Sequence, residues 1–410
     1  MLPLEKVIFM ISKDLLREVA NNQKSDLQRN ASVLERSEIK DLPLLRSHAL
    51  IISGIRRCGK STLLVQLLKE SFPEAFYLNF EDPRLYGFEV VDFQKIDKII
   101  EEYEVKDIFF DEVQVVEGWE RYVRQKLDQG DFQMVITGSN ASLLSRELGT
   151  KLTGRHVTRE LFPFSFAQFC AFSELKMSSE STLDYLSLGG FPEYLKSRKQ
   201  ELLHQFLDDL LLRDIAVRYG VRDIKSLQNL AVYLISNVAK SVSGNNLRKT
   251  LEIKATSTIM EYFSYLEESW LFFFVPKFSY SQRKQLINAK KVYAIDTGLV
   301  TANSRSFSED LGRRFENMVF LHFRRLYPEI YYFTEKGECD LVVFDRNGLV
   351  ELVQVCYELN PDNLKRELNG LWEAMKYFDK KEAILVTLSQ EDEFEKDGYR
   401  IKVVPFHSLA

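Results

Sequence analysis

One segment constrains this chain more than any other: the octapeptide Gly54-Ile55-Arg56-Arg57-Cys58-Gly59-Lys60-Ser61. It fits the eight-position phosphate-loop pattern and stands between an apolar, strand-like run at 49–53 and a helical run at 62–70 that begins with Thr62. Pattern and context agree, because such a loop needs a strand before it and a helix after it. Its glycines let backbone N–H groups curl around phosphate oxygens, and the helix N-terminus adds a favourable dipole. Lys60 is then placed to reach the β and γ phosphates, and Ser61 to ligate magnesium.

A second element follows at Ile108-Phe109-Phe110-Asp111-Glu112, an apolar strand ending in two carboxylates. Asp111 is expected to hold magnesium through water. Glu112, one residue on and facing the other side, is expected to orient or deprotonate the attacking water, which favours ATP hydrolysis over simple binding. A third strand end, Thr137-Gly138-Ser139-Asn140, would bring Ser139 or Asn140 near the γ-phosphate if its strand lies between the other two. Asn79 has two readings: a hydrogen bond to Glu112 that holds it off the water, or a polar residue at a strand edge. GTP is disfavoured, since no Asn-Lys-x-Asp or Thr-Lys-x-Asp guanine-reading motif occurs.

Around this site the apolar runs at 49–53, 75–80, 107–111, 133–137 and 155–161 alternate with helix-length segments, the rhythm of an α/β fold with one parallel sheet. At roughly 150 residues per domain, 410 residues divide into about two or three units. With 45% hydrophobic residues the chain can bury several cores, which excludes a disordered or disulfide-stapled protein. The formal charge of −5 excludes a globally basic nucleic-acid binder, although local basic stripes remain open. The four cysteines are far apart with no Cys-x-x-Cys pair, and no apolar run approaches the ~20 residues that span a bilayer. These features point to a cytoplasmic protein with reduced thiols and no membrane partner.

Gly-Ile-Arg-Arg-Cys-Gly-Lys-Ser-Thr-Leu-Leu, Leu-Asn-Phe-Glu-Asp-Pro, Phe-Asp-Glu-Val-Gln and Ile-Thr-Gly-Ser-Asn together resemble the prokaryotic AAA-type (P-loop, STAND-like) ATP-binding proteins. Leu152-Thr153-Gly154-Arg155, Leu161-Phe162-Pro163-Phe164-Ser165-Phe166 and Gly189-Gly190-Phe191-Pro192-Glu193-Tyr194 extend the resemblance, which continues into the C-terminal domain typical of that family. It implies a core with strand order 5-1-4-3-2 and a catalytic glutamate, a helical lid and a winged helix. It also places Arg155 where an arginine finger supplied by a neighbouring subunit of a homo-oligomer would act, the other reading being a surface Arg that follows a tight Thr-Gly turn; ATP and magnesium are the ligands expected from the motifs.

The expected organisation is an N-terminal helical segment over 1–45, a P-loop ATPase core over 46–164, a helical lid over 165–220, a winged helix over 221–291 and a last α/β domain over 292–410. Residues 221–291 hold eleven Lys and Arg against five Asp and Glu, and Lys277, Arg283, Lys284, Lys290 and Lys291 gather with Tyr280. That region has two readings, phosphate contacts to DNA or packing. In the last domain Glu316, Asp340 and Gln354-Val355-Cys356 resemble the PD-(D/E)xK nuclease pattern. Gln354 stands where an acid is usual and Cys356 where lysine is usual, so a degenerate, binding-only restriction-endonuclease-like fold is favoured. Three functions therefore compete: an ATPase switch, an ATP-gated nuclease effector and a non-hydrolysing scaffold.

Overall fold

A computed structural model describes residues 11–29, 36–140, 150–305 and 310–409. The chain forms two compact units, Met1–Leu161 and Phe162–Ala410. In the first unit β1 (Ala49–Ser53), β2 (Phe76–Asn79), β3 (Asp107–Asp111), β4 (Gln133–Gly138) and β5 (His156–Glu160) make one sheet in the order β2-β3-β4-β1-β5. All its pairings are parallel, and β4 lies between β3 and β1 as the site requires. β1 and β4 are buried at every position, which is why they read as continuous apolar runs without alternation.

Helices α1 (Lys13–Arg29), α2 (Lys60–Ser71), α3 (Phe93–Glu102) and α4 (Trp119–Gln129) accompany the sheet. Leu16, Val19 and Ala20 of α1 are buried in the same core as Phe76 and Leu78 of β2. α1 is therefore part of the first unit's core; truncating Leu16 to Ala would cost about 2–5 kcal/mol. Gln23 fixes the register of α1 on β2, donating to the Asn79 carbonyl (3.1 Å) and accepting from the Asn79 N–H (2.8 Å).

The second unit opens with helices Phe166–Phe172, Ser179–Leu188, Pro192–Ser197 and Glu201–Asp209, the last running into a π-helical stretch, Leu210–Val217. The helix Ile224–Ile235 then leads to β6 (Ser241–Val242), two helices (Gly244–Thr250 and Thr256–Glu268), β7 (Phe272–Pro276) and β8 (Lys290–Ala294). These strands form an antiparallel sheet with β8 in the middle. Ile259, Tyr262, Phe263 and Leu266 are buried, one stripe of the helix Thr256–Glu268.

The rest is a mixed sheet of six strands, β9 (Glu329–Thr334), β10 (Glu338–Asp345), β11 (Gly348–Val355), β12 (Glu382–Thr387), β13 (Asp392–Lys396) and β14 (Tyr399–Pro405), in the order β13-β14-β12-β11-β10-β9. Residues 221–291 and 292–410 are in contact: the rings of Phe273 and Phe320 have centroids 5.6 Å apart, and Phe278 stacks on Phe344 at 5.7 Å. The Gly189-Gly190 turn is held from the far side of this unit as well. The buried carboxylate of Asp296 accepts from the Gly190 N–H (2.6 Å) and the Leu299 N–H (2.8 Å).

Candidate nucleotide-binding site

β1 stops at Ser53, and the chain winds through 54–59 before α2 starts at Lys60. Gly59 has φ of 105°, a left-handed conformation that favours glycine, and a Cβ on Gly54 would stand 2.0 Å from the Leu161 carbonyl oxygen. Arg57 is also left-handed, and Cys58 is fully buried under the loop. Arg36, 1% exposed, donates from its guanidinium to the Cys58 carbonyl, a contact from outside the motif with no signal in the sequence.

Lys60 Nζ donates to the carbonyls of Gly54 (3.0 Å) and Ile55 (3.3 Å) and lies 3.4 Å from Glu112 Oε1. Asp111, at the buried end of β3, accepts from Tyr77 (2.9 Å), from Asn79 Nδ2 (3.3 Å), and from the hydroxyls of Thr137 and Ser61. Glu112 adopts a left-handed backbone (φ 51°), its N–H donates to Thr137 Oγ1 (3.1 Å), and Gln114 Nε2 donates to its carboxylate. The two neighbouring acids are driven apart. Burial, and then the charge of Glu112, push the Asp111 carboxyl up. Burial works the same way on Glu112, but Lys60, the Gln114 hydrogen bond and Arg56 outweigh it and hold that carboxyl down. Burial likewise opposes the Lys60 ammonium, and Glu112 beside it raises its pKa all the same.

One expectation is corrected here. Asn79 bonds Asp111 and not Glu112, because β2 and β3 pair with Asn79 opposite Asp111, which leaves Glu112 beyond the strand end. At the end of β4, Thr137 is the residue that reaches both acids. Ser139 Oγ stands 3.4 Å from Gln114 Nε2, and Asn140 is tied by its backbone oxygen to Ser53 Oγ (2.8 Å). Tyr77, Thr137, Gln114 and Arg36 are site residues that the motifs alone did not single out. Ser61 and Asp111, joined by a hydrogen bond beside Lys60, are an oxygen pair that suits a hard cation such as magnesium.

Residues 46–170 match the AAA domain family, and residues 179–310 match a domain of unknown function (DUF8612). An uncharacterized protein of Methanocaldococcus jannaschii is 34% identical, over 98% of this chain and 96% of its own length. The chain belongs to its family. An uncharacterized protein of Haemophilus influenzae is 30% identical over 92% of this chain and 97% of its own length. The match to the AAA domain family makes this family one of AAA-type P-loop proteins, with the parallel sheet and phosphate loop in the first unit. The solved structure of the Aeropyrum pernix Orc1 protein in complex with DNA overlaps 68% of this chain and 91% of that one at 12% identity; its TM-score of 0.30 carries no argument. The second family match runs across both expected boundaries, at 220/221 and 291/292, and ends ahead of the helix Leu311–Leu326. Among the described residues no helix is long and apolar enough to cross a membrane.

Arg155 lies at the start of β5, the end of the sheet opposite the phosphate loop and about 16 Å of strand away. Its guanidinium pairs with Asp128 (2.7 Å). It does not serve the loop of its own chain.

In the second unit Glu316, Asp340 and Gln354 do come together. The Asp340 N–H donates to Gln354 Oε1 (3.3 Å), and Gln354 Nε2 donates to Glu367 (2.7 Å). Lys291 Nζ lies 3.1 Å from Glu316, 2.7 Å from Asp340 and 2.5 Å from Glu338. These groups line a cavity of about 450 Å³. The expected basic stripe is corrected accordingly: Lys291 is buried among carboxylates and Lys277 pairs with Glu335 (3.3 Å), whereas Tyr280, Arg283 and Lys284 are exposed. Cys339 and Cys356 are buried free thiols. No group of three or more His, Cys, Asp and Glu among the described residues is arranged to hold a metal ion.

Proposed function

We propose that this protein is a magnesium-dependent ATPase that works as a conformational switch. The observation that carries the reading is the contact between Lys60 and Glu112 at 3.4 Å, beside the Ser61–Asp111 pair and beneath a loop of backbone amides. The loop N–H groups and Lys60 bind the β and γ phosphates. Ser61 directly, and Asp111 through water, hold magnesium, which supplies charge neutralisation on the phosphate oxygens. Thr137 and Tyr77 keep Asp111 oriented, and Gln114 keeps Glu112 oriented. When Lys60 turns from Glu112 to phosphate, Glu112 loses the charge that holds its pKa down. It becomes a better proton acceptor for water when ATP is in place.

The test is a pair of variants. Lys60→Ala should lose nucleotide binding, while Glu112→Gln should keep ATP and lose turnover by at least ~100-fold, because the phosphate cradle survives and the base does not. Hydrolysis by Glu112→Gln at the wild-type rate would refute the role given to that carboxylate.

Two further readings belong with this one. The order helix, strand, helix, helix, strand, helix, strand over 224–294, with Tyr280 exposed after β7 and Arg283 and Lys284 exposed on the short helix Gln282–Ile287 before β8, supports a winged helix whose wing region carries that extra helix and touches DNA phosphates. The meeting of Glu316, Asp340 and Gln354 supports a PD-(D/E)xK-like ancestry for the last sheet. The neutral Gln354 and the ammonium of Lys291 among the acids favour a fold that no longer cleaves. Arg155, remote from its own loop, is proposed as a finger offered to a neighbouring copy.

A further inference from the structure

We propose that Arg56, the third residue of the phosphate loop, is the residue by which the site tells ATP from ADP, and that Glu81 competes with the γ-phosphate for it. This rests on the ATP-binding reading and names a determinant within that site. Arg56 grips Glu81 with both terminal nitrogens, at 2.6 Å and 3.4 Å. Both side chains are sheltered, 19% and 27% exposed.

Three observations place this pair at the γ-phosphate end. Glu81 follows β2 directly, two residues beyond Asn79, and Asn79 is paired with Asp111. The charge of Arg56 acts on Glu112, helping to hold that carboxyl down. Lys60, which belongs with the β and γ phosphates, is itself 3.4 Å from Glu112.

The backbone of Glu81 is fixed in place. Its N–H donates to Asn79 Oδ1 (2.8 Å), and Asn79 is pinned by Gln23 on its N–H and carbonyl and by Asp111 on its amide. Arg56 hangs from the loop on a long flexible stem. A planar guanidinium that already makes a forked bond to a carboxylate makes the same bond to a terminal phosphoryl group. ADP has no group at that position. A γ-phosphate therefore has to take Arg56 away from Glu81, and ADP leaves the pair intact.

The experiment measures binding by calorimetry, with magnesium, of ADP and of a non-hydrolysable ATP analogue to the full-length protein. Arg56→Gln should weaken the analogue about ten-fold and leave ADP within about two-fold, the scale of one charge-assisted bond. Glu81→Gln should tighten the analogue and leave ADP unchanged, and in the double variant that gain should vanish, because its beneficiary is gone. Arg56→Lys keeps the charge and loses the fork, so it should fall between wild type and Arg56→Gln; it also covers the case in which Arg56→Gln does not fold. Equal losses for ADP and analogue in the Arg56 variants would make Arg56 a loop-shaping residue and overturn the proposal. So would a Glu81→Gln protein with unchanged analogue affinity. Wild-type protein that binds neither nucleotide would instead overturn the ATP reading beneath it.

Discussion

Replacing Lys291 by Met removes an ammonium that faces three carboxylates and leaves a side chain of similar length. Lys291 is 4% exposed, and its contacts to Glu316 and Asp340, both sheltered, are 3.1 Å and 2.7 Å; Glu338 is half exposed and adds little. Breaking a buried ion pair from one side costs about 3–5 kcal/mol, because the remaining charge stays buried and uncompensated. For a unit of this size that lowers the melting temperature by about 6–20 °C. Burial and then Asp340 already raise the Glu316 carboxyl to about 7 against the opposing pull of Lys291, so removing the lysine raises it further. A carboxyl whose folded pKa lies above its unfolded value holds more protons in the native state between the two, so its contribution to stability falls as pH rises through that window. The loss caused by Lys291→Met should therefore be large at pH 8 and clearly smaller at pH 5, where Glu316 is protonated in the folded protein. Thermal melting followed by tryptophan fluorescence at the two pH values measures this. A loss below about 2 °C, or one of equal size at both pH values, would refute the ion-pair argument and leave only packing.

Mixing an Arg155→Ala protein with a Lys60→Ala protein should restore part of the ATPase rate, since some mixed interfaces carry one intact half from each chain. No recovery in oligomers shown to be mixed would remove the trans role. A labelled DNA duplex serves the second unit twice. Wild type should bind it weakly and with salt dependence, and reversing Arg283, Lys284 and Lys290 should flatten the slope of log affinity on log salt by about one for each phosphate no longer neutralised. The same duplex should stay intact with magnesium or manganese. An unchanged slope would return the winged helix to packing, and cleavage that disappears in Asp340→Ala would restore the nuclease reading.

The first unit was legible because its central strands β1, β3 and β4 are buried on both faces. Runs such as 49–53 and 107–111 carry no polar residue inside them, so their limits are marked by the polar residues that end them, and those ends make the site. What stayed hidden there is register. Whether Asn79 meets Asp111 or Glu112 depends on a one-residue offset between two parallel strands that are joined through α3, and no local pattern encodes it. In the second unit β13, Asp392–Lys396, is almost all charged and exposed on a sheet edge, so no apolar run marks it. The signal was present in Asp397-Gly398, a hairpin turn between alternating residues. Lys291 was misplaced for a different reason. Counting charge along 221–291 assigns it to a basic surface, whereas its partners lie 25 to 49 residues further along the chain.

That misplacement bears on how the second unit holds together. Lys291 sits on β8, the middle strand of the three-stranded sheet, and binds acids on the helix Leu311–Leu326 and on β10. Asp296, five residues on, caps the next helix and holds the Gly189-Gly190 turn of the helical segment. Lid, winged helix and last sheet, expected as three domains, are thus riveted together by buried charges within a few residues of each other. Separating 221–291 from the last sheet would expose Lys291 and its acids and break the Phe278–Phe344 stack, which contributes about 0.5–1.5 kcal/mol beyond its buried area. A rearrangement inside Phe162–Ala410 would for that reason have to break buried ion pairs and a ring stack together.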